Sequence, residues 1–338
     1  MKKVFSLLLV PVLLLAGLLS GCGSETKALT PVTVMLDWTP NTNHTGLFVA
    51  QEKGYFKEQG LEVKIVQPSS DGSVEQLVAT GKADFGVSQQ EQVTTARTSD
   101  IPVVSLAAIL QHNTSGFASL ASKNILTAKD FEGKTYGGWG LPSEDAVLKA
   151  LMQKENADFS KLKIVNIGEA DQLTSLSKDI DLTWIFYGWT GIEAEMRNMT
   201  LNMIWLKDVD PALDYYTPVL ITGEDMIKTK PEVVRSFMKA VSDGYKYAIS
   251  NPQDSAEILI KNAPEANPEL IRKSQAWISP KYQDDAARWG EQRAIVWQRY
   301  AQWLVDRQLL PKMLEPTKAY TNEFLPQTQG SSYGTSNK

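Results

Sequence analysis

Only two histidines, His44 and His112, are available to work as a base or a metal ligand in this chain. Two histidines could help hold zinc only with further ligands at helical spacing, and neither HExxH nor CxxC occurs. No GxSxG elbow presents a nucleophilic serine, so a Ser/His/Asp triad has no local support. Gly137-Gly138-Trp139-Gly140 is glycine-rich but matches neither a Walker loop nor the dinucleotide fingerprint. It reads as a strand-to-helix turn, whose backbone N–H groups could still face a ligand.

Aromatic residues carry more information. Among 9 tryptophans and 11 tyrosines, several stand where strands are expected to end. Trp38 lies in Asp37-Trp38-Thr39-Pro40-Asn41-Thr42-Asn43-His44 after the first strand. Trp139 follows a second such strand, and Tyr187 and Trp189 a third. Open α/β sheets bind ligands beyond the carboxyl ends of their strands, and aromatic faces there stack on flat rings. One tryptophan alone reads more simply as core; three at strand ends read as a site. Trp277, Trp289, Trp297 and Trp303 sit in the helical C-terminal part and are expected to pack in the core. A helix starting near Trp189 puts Glu193 one turn on, on the same face. Its carboxylate is either a solvated helix acid or an acceptor for an exocyclic amino group and a protonated ring nitrogen.

The elements that would position these residues alternate. Strands are expected at Val32–Leu36, Leu61–Val66, Ala83–Val87 and Val103–Ile109, with helices at Thr45–Gln59 and Ser73–Thr80. The rhythm then restarts, with strands near Phe131–Gly138, Lys163–Ile167 and Leu182–Phe186 and helices at Ser143–Gln153 and Asp171–Ser177. A strand at Val219–Thr222 precedes helices at Pro231–Ser250, Ser255–Lys261 and Asp284–Gln308. Alternation of this kind predicts an α/β architecture, and two similar units predict two lobes with a cleft between them. Lobe 1 is expected at 32–119 and 218–326, lobe 2 at 120–217.

The N-terminus sets the compartment. Lys2 and Lys3 precede an apolar run from Val4 to Leu19, short for a membrane span and right for a secretory signal. The run ends in Leu19-Ser20-Gly21-Cys22, which resembles a bacterial lipobox and marks Cys22 for lipidation. Residues 1–22 are then the signal, 23–31 a tether and 327–338 a disordered polar tail. Cys22 is the only cysteine among 338 residues, so no internal disulfide can form. A net charge of −5, without a long basic cluster, argues against nucleic acid.

Val34-Met35-Leu36-Asp37-Trp38-Thr39-Pro40-Asn41-Thr42-Asn43-His44-Thr45-Gly46, with Glu52-Lys53-Gly54-Tyr55-Phe56, resembles the start of the NMT1/Thi5-like family. Gly81–Gly86, Asn251-Pro252 and Tyr320–Leu325 extend the resemblance over nearly the whole mature chain. It implies a two-lobed, type II periplasmic-binding-protein fold. It further implies a lipid-anchored, extracytoplasmic solute-binding protein without cofactor, metal or catalytic residues. Its cargo would be N-formyl-4-amino-5-aminomethyl-2-methylpyrimidine, and its partners an ABC permease and ATPase. Carried over by position, it implies ligand contacts at Trp38, Asn43, Tyr187 and Glu193, and also at Asp37, Trp139, Trp189 and Tyr216. Relatives that carry riboflavin keep another flat heterocycle open. Distant sulfonate carriers are disfavoured, because the candidate loops lack arginine. The family also contains a pyrimidine synthase that consumes its own histidine and pyridoxal phosphate, using iron. Its lysine and histidine places hold Ser88 and Gln92 here, and its cysteine-rich run corresponds to Asp214-Tyr215-Tyr216-Thr217-Pro218. Without that lysine no internal aldimine forms there, so enzyme activity is not expected.

Overall fold

Among the described residues ten strands run in chain order: β1 Thr30–Met35, β2 Leu61–Val66, β3 Phe85–Ser88, β4 Val103–Ala108, β5 Ser115–Leu120, β6 Thr135–Gly138, β7 Lys163–Asn166, β8 Leu182–Phe186, β9 Leu201–Trp205 and β10 Val219–Gly223. The computed structural model describes residues 28–68, 72–168 and 170–327. The signal 1–22 with Cys22, most of the 23–31 tether and the tail from 328 lie outside the described residues. Among the described residues no helix is long and apolar enough to cross a membrane.

The strands form two five-stranded sheets, in the orders β2-β1-β3-β10-β4 and β7-β6-β8-β5-β9. In the first, β1 is parallel to β2 and β3, and β10 runs antiparallel to β3 and β4. The second repeats this plan, with β5 antiparallel to β8 and β9. The chain therefore crosses between sheets twice, after β4 and after β9. The first crossing precedes the expected boundary at 119/120, because Ser115–Ser119 pairs with β8. That strand and β4 are buried almost throughout, so neither shows the polar alternation that flags a half-exposed strand.

Helix Pro231–Ser250 covers the first sheet. Proline at its first turn needs no N–H partner. Val234, Phe237, Met238, Val241, Tyr245 and Ala248 recur at helical spacing and are fully buried. Phe237 stacks on Phe85 of β3 at 3.8 Å between centroids, worth about 0.5–1.5 kcal/mol beyond its area. At Gly244 a Cβ would lie 2.1 Å from the Gly46 carbonyl oxygen, so only glycine lets this helix meet Thr45–Glu52.

Two expected helices are shorter than read. Thr45–Gln59 breaks into Thr45–Glu52 and Tyr55–Glu58 at Gly54, whose φ of 81° is left-handed. Asp284–Gln308 reduces to Ala294–Asp306, because left-handed Gly290 bridges to Ala108 beside the sheet. Helices Gln90–Thr98 and Pro268–Ile278 and strands β5 and β9 were not anticipated by the pattern. Pro268–Ile278 proves decisive for the site.

Candidate binding site between the two sheets

On the first sheet's side, the loop after β1 carries Asp37 and Trp38. A 3-10 turn, Thr42–His44, follows, with Asn41 as its cap. The Asn41 side-chain oxygen accepts from Asn43 N at 2.9 Å, and Asn41 N donates to His44 Nδ1 at 3.2 Å. A nitrogen that accepts a backbone N–H carries no proton, so the His44 proton sits on Nε2. From there it is donated to Asp37 Oδ1 at 2.7 Å. His44 is fully buried, whereas the Asp37 side chain is 18% exposed. Its carboxylate is thus aimed from behind and still reachable. Tyr245 donates to the Asn43 carbonyl at 2.7 Å, and the Tyr282 hydroxyl to that of Thr42. Two tyrosines from the C-terminal helices thereby fix the loop. Trp38 is 49% exposed, an unusual place for a large apolar ring.

On the second sheet's side, β8 runs into a π-helical turn, Tyr187–Gly191, and then a short helix, Ile192–Met196. The Tyr187 ring lies 5.1 Å from Trp205 and 5.4 Å from Trp277. Its hydroxyl donates to Glu195 Oε1 at 2.5 Å and is pushed up to about 12 by burial and then by that bond. Glu193 instead accepts from Arg197 at 2.5 Å. Arg197 also grips Asp171 through two bonds of 3.0 and 2.7 Å, which hold the Asp171 carboxyl well below its usual range. The expectation that Glu193 stands free beside the platform assumed a regular helix from Trp189. A π-turn inserts an extra residue and rotates everything after it. Glu195 therefore meets Tyr187, and Glu193 joins an exposed ion-pair network.

The two sides touch at this turn. The Gly188 carbonyl accepts from the Ser274 hydroxyl, and Ser274 Oγ lies 2.6 Å from Thr42 Oγ1. A Cβ on Gly188 would come 3.0 Å from Trp277. Trp189 is half-buried against the core around the first sheet. Helix Pro268–Ile278 thus links the 3-10 turn to the π-turn, and Trp277, expected in the core, lies instead between the halves. A groove of about 600 Å³ lined by Ala212, Ile295, Arg299 and Trp303 lies elsewhere and includes none of the expected site residues.

Two expected contacts are placed differently. Tyr216 is fully buried; its hydroxyl oxygen accepts from Arg293 N at 3.0 Å, and its backbone pairs with Gln90. It braces the second crossing and does not present its ring. Trp139 is half-buried, and its N–H donates to Glu144 at 3.0 and 3.1 Å. Glu144 also accepts from Leu141 N at 2.9 Å and the Tyr136 hydroxyl at 2.5 Å. The chain's own carboxylate thus uses the donors that the glycine-rich turn was expected to offer a ligand. Ser88 is buried and donates to Glu75. Trp205 was missed only because β9 was missed; the rule of an aromatic at a strand end finds it.

The crossings are tied together. Asn113 Nδ2 donates to the Leu213 carbonyl at 2.9 Å, and Asp214 accepts from Asn113 N at 3.0 Å. His112 Nδ1 lies 2.7 Å from Asp214 Oδ2, and its other nitrogen 3.4 Å from Asp285. The hydrogen bond to Asp214 raises the imidazole's pKa, against burial, which lowers it. Among the described residues no group of three or more potential ligands is placed to hold a metal ion.

Residues 41–255 match the family described as NMT1/THI5 like. The chain belongs to this family. Within it, the chain is 31% identical over 310 residues to a formylaminopyrimidine-binding protein from Halalkalibacterium halodurans, covering 89% of this chain and 92% of that one. It is 24% identical to a 4-amino-5-hydroxymethyl-2-methylpyrimidine phosphate synthase from Legionella pneumophila, covering 88% and 93%. The NMT1/THI5-like family thus matches both carriers and synthases. Among solved structures, the aliphatic sulphonate binding protein of Escherichia coli superposes with a TM-score of 0.68 at 11% identity, covering 86% of this chain and 97% of that one. The nitrate-binding protein of Synechocystis gives 0.65 at 11% identity, covering 88% and 87%. At such identities the likeness establishes the periplasmic-binding-protein fold and nothing about the cargo.

Proposed function

We propose that this chain is the extracytoplasmic solute-binding component of an ABC importer and carries N-formyl-4-amino-5-aminomethyl-2-methylpyrimidine, a thiamine precursor. The observation that carries the cargo is the 31% identity, over 89% of the chain, to a formylaminopyrimidine-binding protein. The geometry around Asp37 supports this reading. Asp37, oriented by buried His44, accepts the 4-amino group and a protonated ring nitrogen. Exposed Trp38 supplies a stacking face, Asn43 lies on the same loop, and the Tyr187 turn closes from the other sheet. A ligand that touches both sides favours the closed arrangement and shifts the population toward it. The lipid on Cys22 would hold the protein at the membrane beside the permease and its ATPase. A synthase is the competing reading within the family. Ser88, buried against Glu75, offers no amine there to hold pyridoxal phosphate.

Calorimetry with the formylaminopyrimidine and with riboflavin tests this reading. Binding of the aminopyrimidine without riboflavin is expected. Riboflavin binding alone would replace the cargo, and release of a pyrimidine product from pyridoxal phosphate and iron would replace the function.

A further inference from the structure

The first turn of helix Gln90–Thr98 grips the second crossing through two neighbouring residues. Gln90 N donates to the Tyr216 carbonyl at 3.1 Å, and Gln90 Oε1 accepts from Tyr216 N at 2.9 Å. Glu91 takes the residue before it, its Oε1 accepting from the Tyr215 hydroxyl at 2.5 Å. On the other side, Asn113 of the first crossing holds Leu213 and Asp214. Tyr215 therefore stands between a pin to the first crossing and a pin to helix Gln90–Thr98. Its ring packs on Tyr300 of helix Ala294–Asp306 at 4.5 Å between centroids, and both rings are buried.

Glu91 is badly placed to carry a charge. Its Oε2 is buried without a hydrogen-bond partner among the described residues, and the charged groups on the surrounding elements are turned elsewhere. Arg97, on the same helix, pairs with Glu224 at 2.6 Å. Arg299, beside Tyr300, donates to the Pro211 carbonyl at 3.3 Å. Asp214, beside Tyr215, faces His112 at 2.7 Å, and Arg293 faces the Tyr216 hydroxyl. The groups that do face Glu91 are the hydroxyls of Tyr215 and Tyr300, and burial pushes both well above their usual range, so neither is charged near neutral pH. A buried carboxyl without a counter-ion favours its neutral form. Burial pushes Glu91 up to about 7, against the Tyr215 hydrogen bond, which lowers it. Ionised, the group puts a bare charge on Oε2 that only water can relieve, and admitting water loosens its contact with Tyr215.

We propose that Glu91 is a proton-operated lock on the second crossing, engaged while its carboxyl is protonated and loosened when it ionises. The folded value lies above the unfolded one, so the stability that the lock confers is full below about pH 4.3. It is lost as pH rises through about 7. The halves meet at Gly188 and Ser274 in this arrangement, so the lock holds the form in which they touch. A cargo that touches both halves is therefore held more tightly with the proton in place. The lock rests on the crossing alone; its effect on cargo rests on the function proposed above.

Infrared spectroscopy and hydrogen exchange on the full chain in detergent, without cargo, test the lock. The wild type should lose a protonated-carboxyl band between about pH 6 and about pH 8, a loss that Glu91→Gln should not show. Glutamine keeps the acceptor for Tyr215 but cannot ionise. Amides of residues 213–217 should therefore exchange as in the variant at the acid end and several-fold faster at the alkaline end. Tyr215→Phe removes a bond that favours the charged form, so in that variant the band should disappear at a higher pH. Calorimetry with the formylaminopyrimidine reads the coupling. The ratio of wild-type to Glu91→Gln dissociation constants should rise several-fold over the same range, and taking the ratio cancels the titration of the ring and of His112. A band loss that persists in Glu91→Gln, or exchange that matches the variant at both ends, would overturn the lock. A flat ratio with cargo bound would remove its coupling to binding. Failure of both proteins to bind would sink the cargo reading alone, because the cargo-free measurements decide the lock.

Discussion

At the residue scale, Asp37 and Glu193 are both acids beside aromatic rings, and their partners separate them. Asp37 takes one hydrogen bond from an uncharged imidazole and stays partly open. Glu193 meets a guanidinium that Asp171 already holds on its other edge. A ligand amino group can join the first carboxylate but must displace an arginine from the second. Hydrogen bonds to a charged group contribute about 1.5–3 kcal/mol, so Asp37→Asn should weaken formylaminopyrimidine binding roughly tenfold to a hundredfold. Glu193→Gln should leave it nearly unchanged. Titration calorimetry on both variants decides between the acids, and the reverse ranking would return Glu193 to the role its spacing suggested.

At the element scale, the contact between helices Thr45–Glu52 and Pro231–Ser250 depends on two glycines. Gly244→Ala would press a methyl group onto the Gly46 carbonyl, backbone that cannot swing aside. Overpacking of this kind costs about 1–3 kcal/mol or more, and thermal unfolding should show a clearly lowered midpoint. The crossings depend on His112. Its pKa is raised in the folded state by Asp214. The added stability is therefore fully present below the unfolded value of about 6.5 and is lost as pH rises through the higher folded value. Asp285 and Asp284 also face this imidazole, and Arg293 lies near the same carboxylates. Melting temperature should fall between pH 6 and pH 9, and His112→Gln should flatten that fall. An unchanged slope in the variant would show that the tie contributes nothing.

At the scale of the whole molecule, the expected anchor lies in the leader, outside the described residues. Cys22→Ser should abolish fatty-acid labelling and release the protein from the membrane fraction. Labelling that persisted in the variant would remove the lipid anchor from the account. The α/β class, the paired units and most strand positions were legible, because turn residues and β-rich runs are local signals. β8 and the Pro231–Ser250 helix match their expected bounds. Asp37, Trp38 and Asn43 could be singled out as one short run after a strand, whereas the place of His44 behind Asp37 comes from the structure. What only the tertiary structure decided was which residues meet across the molecule. Tyr216 went to a buried brace and Glu144 took the glycine-rich turn, while Glu193 turned to Arg197. Trp277, in a helix far along the chain, came to lie against Tyr187 between the halves. Periodicity tells which face of an element is buried but not which neighbour covers it. That choice depends on long-range packing, and here on one extra residue in a π-turn.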